Sequence, residues 1–378
     1  MPLTTPVRGD LPMNEAHSST PVPGYQFASD NTAGICPEAL ATLVEANVGA
    51  AASYGDDQYT ALVADRLREI FECECEVFFV FNGTAANSLA ISACCQSYHS
   101  VICSDVAHLE TDECGGPEFF SGGAKVLVSE TCQGKLLPES VERLITRRLD
   151  IHHPKPRVLS LTQPTEMGTL YSLEELRALA DTARRFGMRV HMDGARLANA
   201  IAALGRPPAE VTWQAGVDVL CLGGAKMGLP LGEAVVFFDR ELASDFEYRC
   251  KQAGQLASKM RFLTAPWLGM LKDSAWLRHA AQANRMAQRL SRGLEQLAGV
   301  RLLYPTEVNA VFALLPPECH RQLAARGWHY YTFIGQGAAR FMCSWATTEE
   351  EVNALLADVQ MAIQREAATD GLPTEARA

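Results

Sequence analysis

Residues 157–196, RVLSLTQPTEMGTLYSLEELRALADTARRFGMRVHMDGAR, hold one strand–helix–strand unit. Arg157–Thr162 is a short apolar run of strand character. Ser172-Leu173-Glu174-Glu175 then has the spacing of a capping box, in which the Ser hydroxyl and the Glu carboxylate satisfy each other's backbone amides. Beyond it Leu173, Leu176, Leu179, Ala180, Ala183 and Phe186 recur at helical period, Gly187 ends the helix, and Arg189–Met192 opens the next strand.

The same alternation extends outward. Val77–Phe81, Val101–Cys103 and Lys125–Val128 are strand candidates on one side, Val217–Leu222 and Ala234–Phe238 on the other. The fold class is therefore α/β, a mostly parallel or mixed sheet with helices on both faces. Its active site is expected at the carboxyl ends of the strands. After about Ala265 the pattern changes to a long helix near 275–298 and strands at Val300–Tyr304, Ala310–Leu315 and Ala339–Ser344. A last helix comes next, expected to be capped by Thr347 with Glu350 three residues on, and amphipathic through Val352, Leu355, Leu356, Val359 and Ile363. A chain of 378 residues exceeds what one core usually supports. The expected division is a large domain at 27–265 and a smaller α+β C-terminal domain at 266–364. A disordered arm at 1–26 and a flexible tail at 365–378 flank them.

Composition narrows the function. The net charge of −11 gives a nucleic-acid backbone no general reason to bind, so nucleic acid is not an expected partner. Nothing approaches the ~18–20 apolar residues of a membrane span, so no membrane partner is expected either. Twelve dispersed cysteines show no paired zinc spacing; they read as buried free thiols, with no metal expected, and favour a cytoplasmic location.

Three motifs sit at strand ends. Asn82-Gly83-Thr84-Ala85-Ala86-Asn87 lies between a strand and a helix, where Gly, a hydroxyl and free amides suit a phosphate. His191-Met192-Asp193-Gly194-Ala195-Arg196 ends a buried strand with an acid, which is costly there without a partner. Asp193 either pairs with Arg196 to close a loop or faces a protonated pyridine nitrogen. Gly223-Gly224-Ala225-Lys226-Met227-Gly228 lies between two apolar runs. Lys226 is either a solvated turn residue or a buried amine with a lowered pKa, as a Schiff-base lysine requires.

Phosphate cup, acid and lysine in that order resemble a fold-type I pyridoxal 5'-phosphate (PLP) enzyme. More closely, the sequence resembles the low-specificity L-threonine aldolases of the β-eliminating-lyase superfamily, in the bacterial subgroup that includes phenylserine aldolase. The likeness runs from about Phe27 to Ile363. Its matching stretches are Ser29-Asp30-Asn31, Tyr54-Gly55-Asp56-Asp57, Phe81-Asn82-Gly83-Thr84, the segment from His108 to Gly115, and His191 to Arg196. Lys226 with its glycines, Ser258-Lys259-Met260-Arg261, and Gly337 to Phe341 complete the set.

The resemblance implies a seven-stranded, mostly parallel sheet and PLP as cofactor. It implies retro-aldol cleavage of L-threonine, L-allo-threonine or a related β-hydroxy amino acid such as phenylserine to glycine and an aldehyde. Lys226 would hold the cofactor, Asp193 its pyridine nitrogen, and Gly83, Thr84 and Ala85 its phosphate. Arg261, reaching in from a second subunit, is a further phosphate candidate, with a surface charge as the other reading. His108 would cover the ring; its alternative is a surface or capping histidine. Arg196 and Arg340, with Ser29, would bind the substrate carboxylate or the cofactor oxygen. Shared sites imply a homodimer at least, and a tetramer is common in such families.

Two departures stand out: Ala225 where Thr is usual before the lysine, and Met227 where the close subgroup has Asn. Glu166 occupies the place of a common substrate-contacting His, and reads either as a catalytic base or as a surface carboxylate. Another PLP-dependent lyase that performs β-elimination, and a catalytically weak PLP-binding paralogue, are the competing expectations. No G-x-G-x-x-G follows the early strands, which argues against a nicotinamide enzyme.

Overall fold

The computed structural model describes residues 26–334 and 337–370. Seven strands form the large sheet: β1 (Glu76–Val80), β2 (His99–Ser104), β3 (Lys125–Ser129), β4 (Lys155–Thr162), β5 (Arg189–Gly194), β6 (Val219–Leu222) and β7 (Glu233–Phe237). Their order is β1-β7-β6-β5-β4-β2-β3. Only β7 runs against its neighbours, so the other six strands point one way. Every residue of β2, β6 and β7 is buried, as expected where helices cover both faces.

Several of the helices among the described residues bear on the site and on the passage to the second sheet. α1 (Pro37–Ala46) lies near the start of the described chain. α2 (Gly83–Cys94) follows β1 directly and is capped by Asn82, whose side chain accepts from the Ala85 amide. α3 (Leu173–Arg185) begins with the full Ser172/Glu175 capping box that the sequence predicts, and buries Leu173, Leu176, Leu179, Ala180 and Ala183. α4 (Arg261–Leu271) and α5 (Ala275–Glu295) lead into the second sheet.

That sheet has four antiparallel strands, β8 (Arg301–Leu302), β9 (Ala310–Leu314), β10 (Tyr331–Ile334) and β11 (Ala338–Met342), in the order β8-β9-β11-β10. β10 has no counterpart among the strands expected from sequence. The last helix, α6 (Glu349–Asp370), buries Val352, Leu355 and Val359 as expected. Its cap lies one residue later than expected. Thr348 and Glu351 exchange side chain–amide hydrogen bonds at 3.2 and 2.8 Å, because the Thr347 hydroxyl is occupied by the Ser344 amide at 2.8 Å. The helix also continues past residue 364, where the sequence places the start of a tail; residues 371–378, and 1–25 of the expected arm, lie outside the described residues.

The N-terminal segment crosses between the two sheets. Gln26 bridges to His329, the Phe27 amide donates to the His329 carbonyl, and the Met342 amide donates to the Phe27 carbonyl. Phe27 is buried in the core of the smaller sheet against Trp328 and Phe341, rather than in the large domain where the sequence places it. From there the chain reaches Asp30, which pairs with Arg196 just past the end of β5.

Candidate active site

Six parallel strands deliver their carboxyl ends to one edge of the large sheet, and β7, running the other way, delivers its first residue, Glu233, to the same edge. A cavity of about 500 Å³ lies there. It is lined by Gly83, Thr84, His108, Glu166, Asp193, Arg196 and Lys226, residues drawn from five separate segments.

Lys226 follows β6 in a short 3₁₀ turn, Ala225–Met227. Two glycines let that turn pack. A Cβ on Gly223 would come within 2.2 Å of the Ala195 carbonyl oxygen, and one on Gly224 within 2.2 Å of the Gly232 carbonyl oxygen. The backbone after β5 and the lysine turn are thereby held in contact. Burial pushes the Lys226 ammonium below its usual range, and the nearby Arg196 adds to this, against Asp30, Asp193 and Glu233. Lys226 is half-buried in the cavity wall rather than out on a solvated turn.

Asp193, next to last in β5, has one carboxylate oxygen accepting from the Ala195 amide at 2.9 Å and the other from Asn87 Nδ2 at 2.8 Å. Burial works against its charge, but Lys226, the Ala195 amide, Asn87 and His191 outweigh that and hold it below the usual carboxylate range. The alternative Asp193–Arg196 pair does not form. Arg196 instead forks onto Asp30, Nε at 2.6 Å and Nη2 at 2.9 Å. Burial also opposes the Asp30 charge, and it too is overcome, by Arg196, Lys226 and a hydrogen bond from Asn309.

His108 is tied into the same network. Its Nδ1 lies 2.8 Å from Glu113 Oε1, which also accepts from Asn87 Nδ2 at 2.8 Å, and so links His108 to Asp193. The Glu113 hydrogen bond raises the His108 pKa, against burial. Glu166 Oε1 accepts from the His108 amide at 3.0 Å and from the Thr162 hydroxyl at 2.9 Å. Its Oε2 is buried and has no hydrogen-bond partner, and burial pushes the carboxyl up to about 7. This is no surface carboxylate.

At the far end, Gly83 and Thr84 form the amino end of α2. A Cβ on Gly83 would meet nothing within 4 Å, so its smallness keeps space open beside free helix amides. Ala85, expected to share this role, does not line the cavity, and its amide is taken by Asn82 Oδ1 at 2.9 Å. Ser29 and Arg340 lie beside the cavity rather than in its wall. The Ser29 hydroxyl accepts from the Asn31 amide at 3.2 Å, and Arg340 donates to the Ala28 carbonyl at 3.2 Å. Arg261 also lies outside this chain's cavity wall; it donates to the Gly49 carbonyl at 3.1 Å and stacks over Phe262.

Four site residues have no role in the sequence reading: Asp30, Asn87, Glu113 and Glu233. The first three stand inside the motifs Ser29–Asn31, Asn82–Asn87 and His108–Gly115. Glu233 carries the same signal as Asp193, an acid at the end of an apolar run, where an unpaired charge is costly.

Known proteins resemble this chain in sequence and in fold. The beta-eliminating lyase family matches residues 26–316. A low-specificity L-threonine aldolase of Pseudomonas aeruginosa is 59% identical over 336 residues, covering 89% of this chain and 97% of that protein. The threonine aldolase of Leishmania major superposes with a TM-score of 0.84 at 28% identity, covering 89% of this chain and 99% of its own. Oryza sativa TDC, solved with PLP and tryptamine, shares the fold at a TM-score of 0.73 and 14% identity, over 90% of this chain and 84% of that one. The chain belongs to the beta-eliminating lyase family, alongside the low-specificity L-threonine aldolases.

Proposed function

We propose that this protein is a PLP-dependent aldehyde-lyase that cleaves L-threonine, L-allo-threonine or a related β-hydroxy amino acid to glycine and an aldehyde. The observation that carries the reading is the half-buried Lys226 amine sharing with the Asp193 carboxylate a cavity that is also lined by a helix amino terminus. Two buried oxygens without partners, Asn87 Oδ1 and Glu166 Oε2, belong to residues lining that cavity, which fits a polar occupant.

Lys226 would carry PLP through its amine, Gly83 and Thr84 would hold the phosphate, and Asp193 would face the pyridine nitrogen. His108 would cover the ring, fixed in place by Glu113. When bound, the cofactor supplies the electron sink for carbon–carbon cleavage; the protein supplies orientation and charge. Arg196 spends Nε and Nη2 on Asp30 and leaves Nη1 for the substrate carboxylate, with Arg340 and Ser29 beside it. Glu166 takes the proton from the β-hydroxyl.

A homodimer is supported by the exposed apolar stripe of Leu40, Val44 and Val48 along and just past α1, which runs up to Gly49, the residue Arg261 touches. A second copy on that face would bring Arg261 near the neighbouring site, and a tetramer would pair two such dimers. Twelve free cysteines accord with the cytoplasm. Among the described residues no helix is long and apolar enough to cross a membrane.

The test is product analysis with L-threonine and phenylserine in the presence of PLP. Glycine with the matching aldehyde supports the reading; a 2-oxo acid with ammonia sinks it in favour of β-elimination. Glu166→Gln tests the base. A base acts as the carboxylate, so the rate of the unsubstituted enzyme should rise with pH through about 7. The Gln variant should lose about 10²-fold in kcat together with that acid limb. An unchanged limb would assign the proton transfer elsewhere.

A further inference from the structure

Glu233 is a buried acid in the cavity wall to which the proposed function gives no role. It opens β7, opposite Val80 of β1, and its Oε2 accepts a short hydrogen bond from the Gly224 amide. Gly224 stands two residues before Lys226. The contact is enforced from several sides, since Gly224 is also packed against the Gly232 carbonyl, Leu229 and Trp267, and Gly232 against Leu263. A Cβ at Gly224 would collide with all three, so the turn can approach β7 only with glycine there.

We propose that Glu233 is a positioning residue for Lys226, clamping the turn that carries the lysine and balancing the charge of its amine whenever that amine is free. This rests on Lys226 being the cofactor's attachment point. The lysine must alternate between a linked state and a free amine, which takes up a proton in a cavity that already holds Arg196. A nearby acid that can be neutral in the first state and ionised in the second keeps the net charge of the cavity level. Asp30 and Asp193 also act on the amine, but other partners already hold each of them ionised, Asn87 and the Ala195 amide for Asp193 and Arg196 for Asp30, so neither can change its charge with the lysine.

The surroundings of Glu233 suit this task. Burial pushes its carboxyl up to about 7, the Gly224 amide and Lys226 pull it down, and Asp193 pushes it up. The Cys221 thiol on β6 also feels its charge. Val80 of β1 pairs with Glu233, and α4 packs Trp267 against Gly224 and Leu263 against Gly232; none of the three is charged.

The experiment is pulse acetylation of the full-length, PLP-stripped protein with acetic anhydride across pH, reading the Lys226 peptide by mass spectrometry. Exposed Lys259 and Lys272 serve as internal references for folding and reagent. Glu233→Gln keeps an acceptor for Gly224 but removes the charge. The free amine should then appear at lower pH, by about one unit, because a carboxylate beside an ammonium favours the protonated form. Glu233→Asp, which keeps the charge, should restore the midpoint. A purely structural clamp would be rescued by Gln instead, so a Gln midpoint equal to that of the unsubstituted protein overturns the proposal, as does an Asp midpoint displaced as far as Gln's. A parallel absorbance spectrum with added PLP separates the two readings. If the unsubstituted protein shows no visible band, the cofactor assignment fails, while the acetylation midpoints still decide the role of Glu233.

Discussion

Lys226→Ala is expected to abolish the visible absorbance of the bound cofactor and to cut aldehyde release by at least about 10³-fold. Two losses combine. The amine that links the cofactor is gone, and with it a group able to shuttle a proton; a positioned proton donor or acceptor alone is worth ~10²–10⁴-fold. The substitution also removes the cation shared by Asp30, Asp193 and Glu233. Asp193 owes part of its low pKa to Lys226, so it should bind a proton more readily in the variant and hold the pyridine nitrogen less well. Added methylamine should restore a fraction of the rate, since it replaces the amine but not its position. Aldehyde release within tenfold of the unsubstituted enzyme would remove Lys226 from the chemistry.

The large sheet is legible in the sequence because its central strands are buried on both faces. Each of the seven strands appears as an apolar run, and none depends on a partner's identity for recognition. β10 is not legible for the converse reason. It is a four-residue edge strand, Tyr331–Ile334, paired only to β11 with Tyr331 44% exposed, and so short a run has too little period to read. The shift of the last cap from Thr347 to Thr348 turns on a hydrogen bond from Ser344, and two adjacent threonines offer no local signal to choose between them.

In the site, residue types are legible and partners are not. Lys226 and Asp193 stand out because a charge beside an apolar strand must be compensated. Whether Arg196 compensates Asp193 or something else depends on a segment 166 residues away, and no local spacing reports that. The same distance effect hides the path of Phe27, which belongs by sequence order to one sheet and by packing to the other.

Asp30 is therefore where the second large effect is expected, and Asp30→Ala should destabilise the protein by roughly 3–5 kcal/mol at pH 7, the range for breaking one side of a buried ion pair. The Asp30 side chain is 2% exposed and that of Arg196 20%, so solvent would do little to replace the lost partner. Asn309 would also lose a hydrogen bond at 3.2 Å. The pH dependence follows from the direction of the Asp30 shift. Its folded pKa lies below its ordinary value, so its contribution is fully present above about pH 4 and is lost as pH falls through the folded value. The stability difference between the two proteins, measured by urea unfolding, should stay constant from about pH 5 to 8 and close only below about pH 4. A released Arg196 would also lose the orientation that aims Nη1 at substrate, so KM for threonine should rise together with the loss of stability. Equal stability at pH 7 would show that Arg196 is held by the substrate side of the cavity rather than by the N-terminal segment that crosses from the smaller sheet.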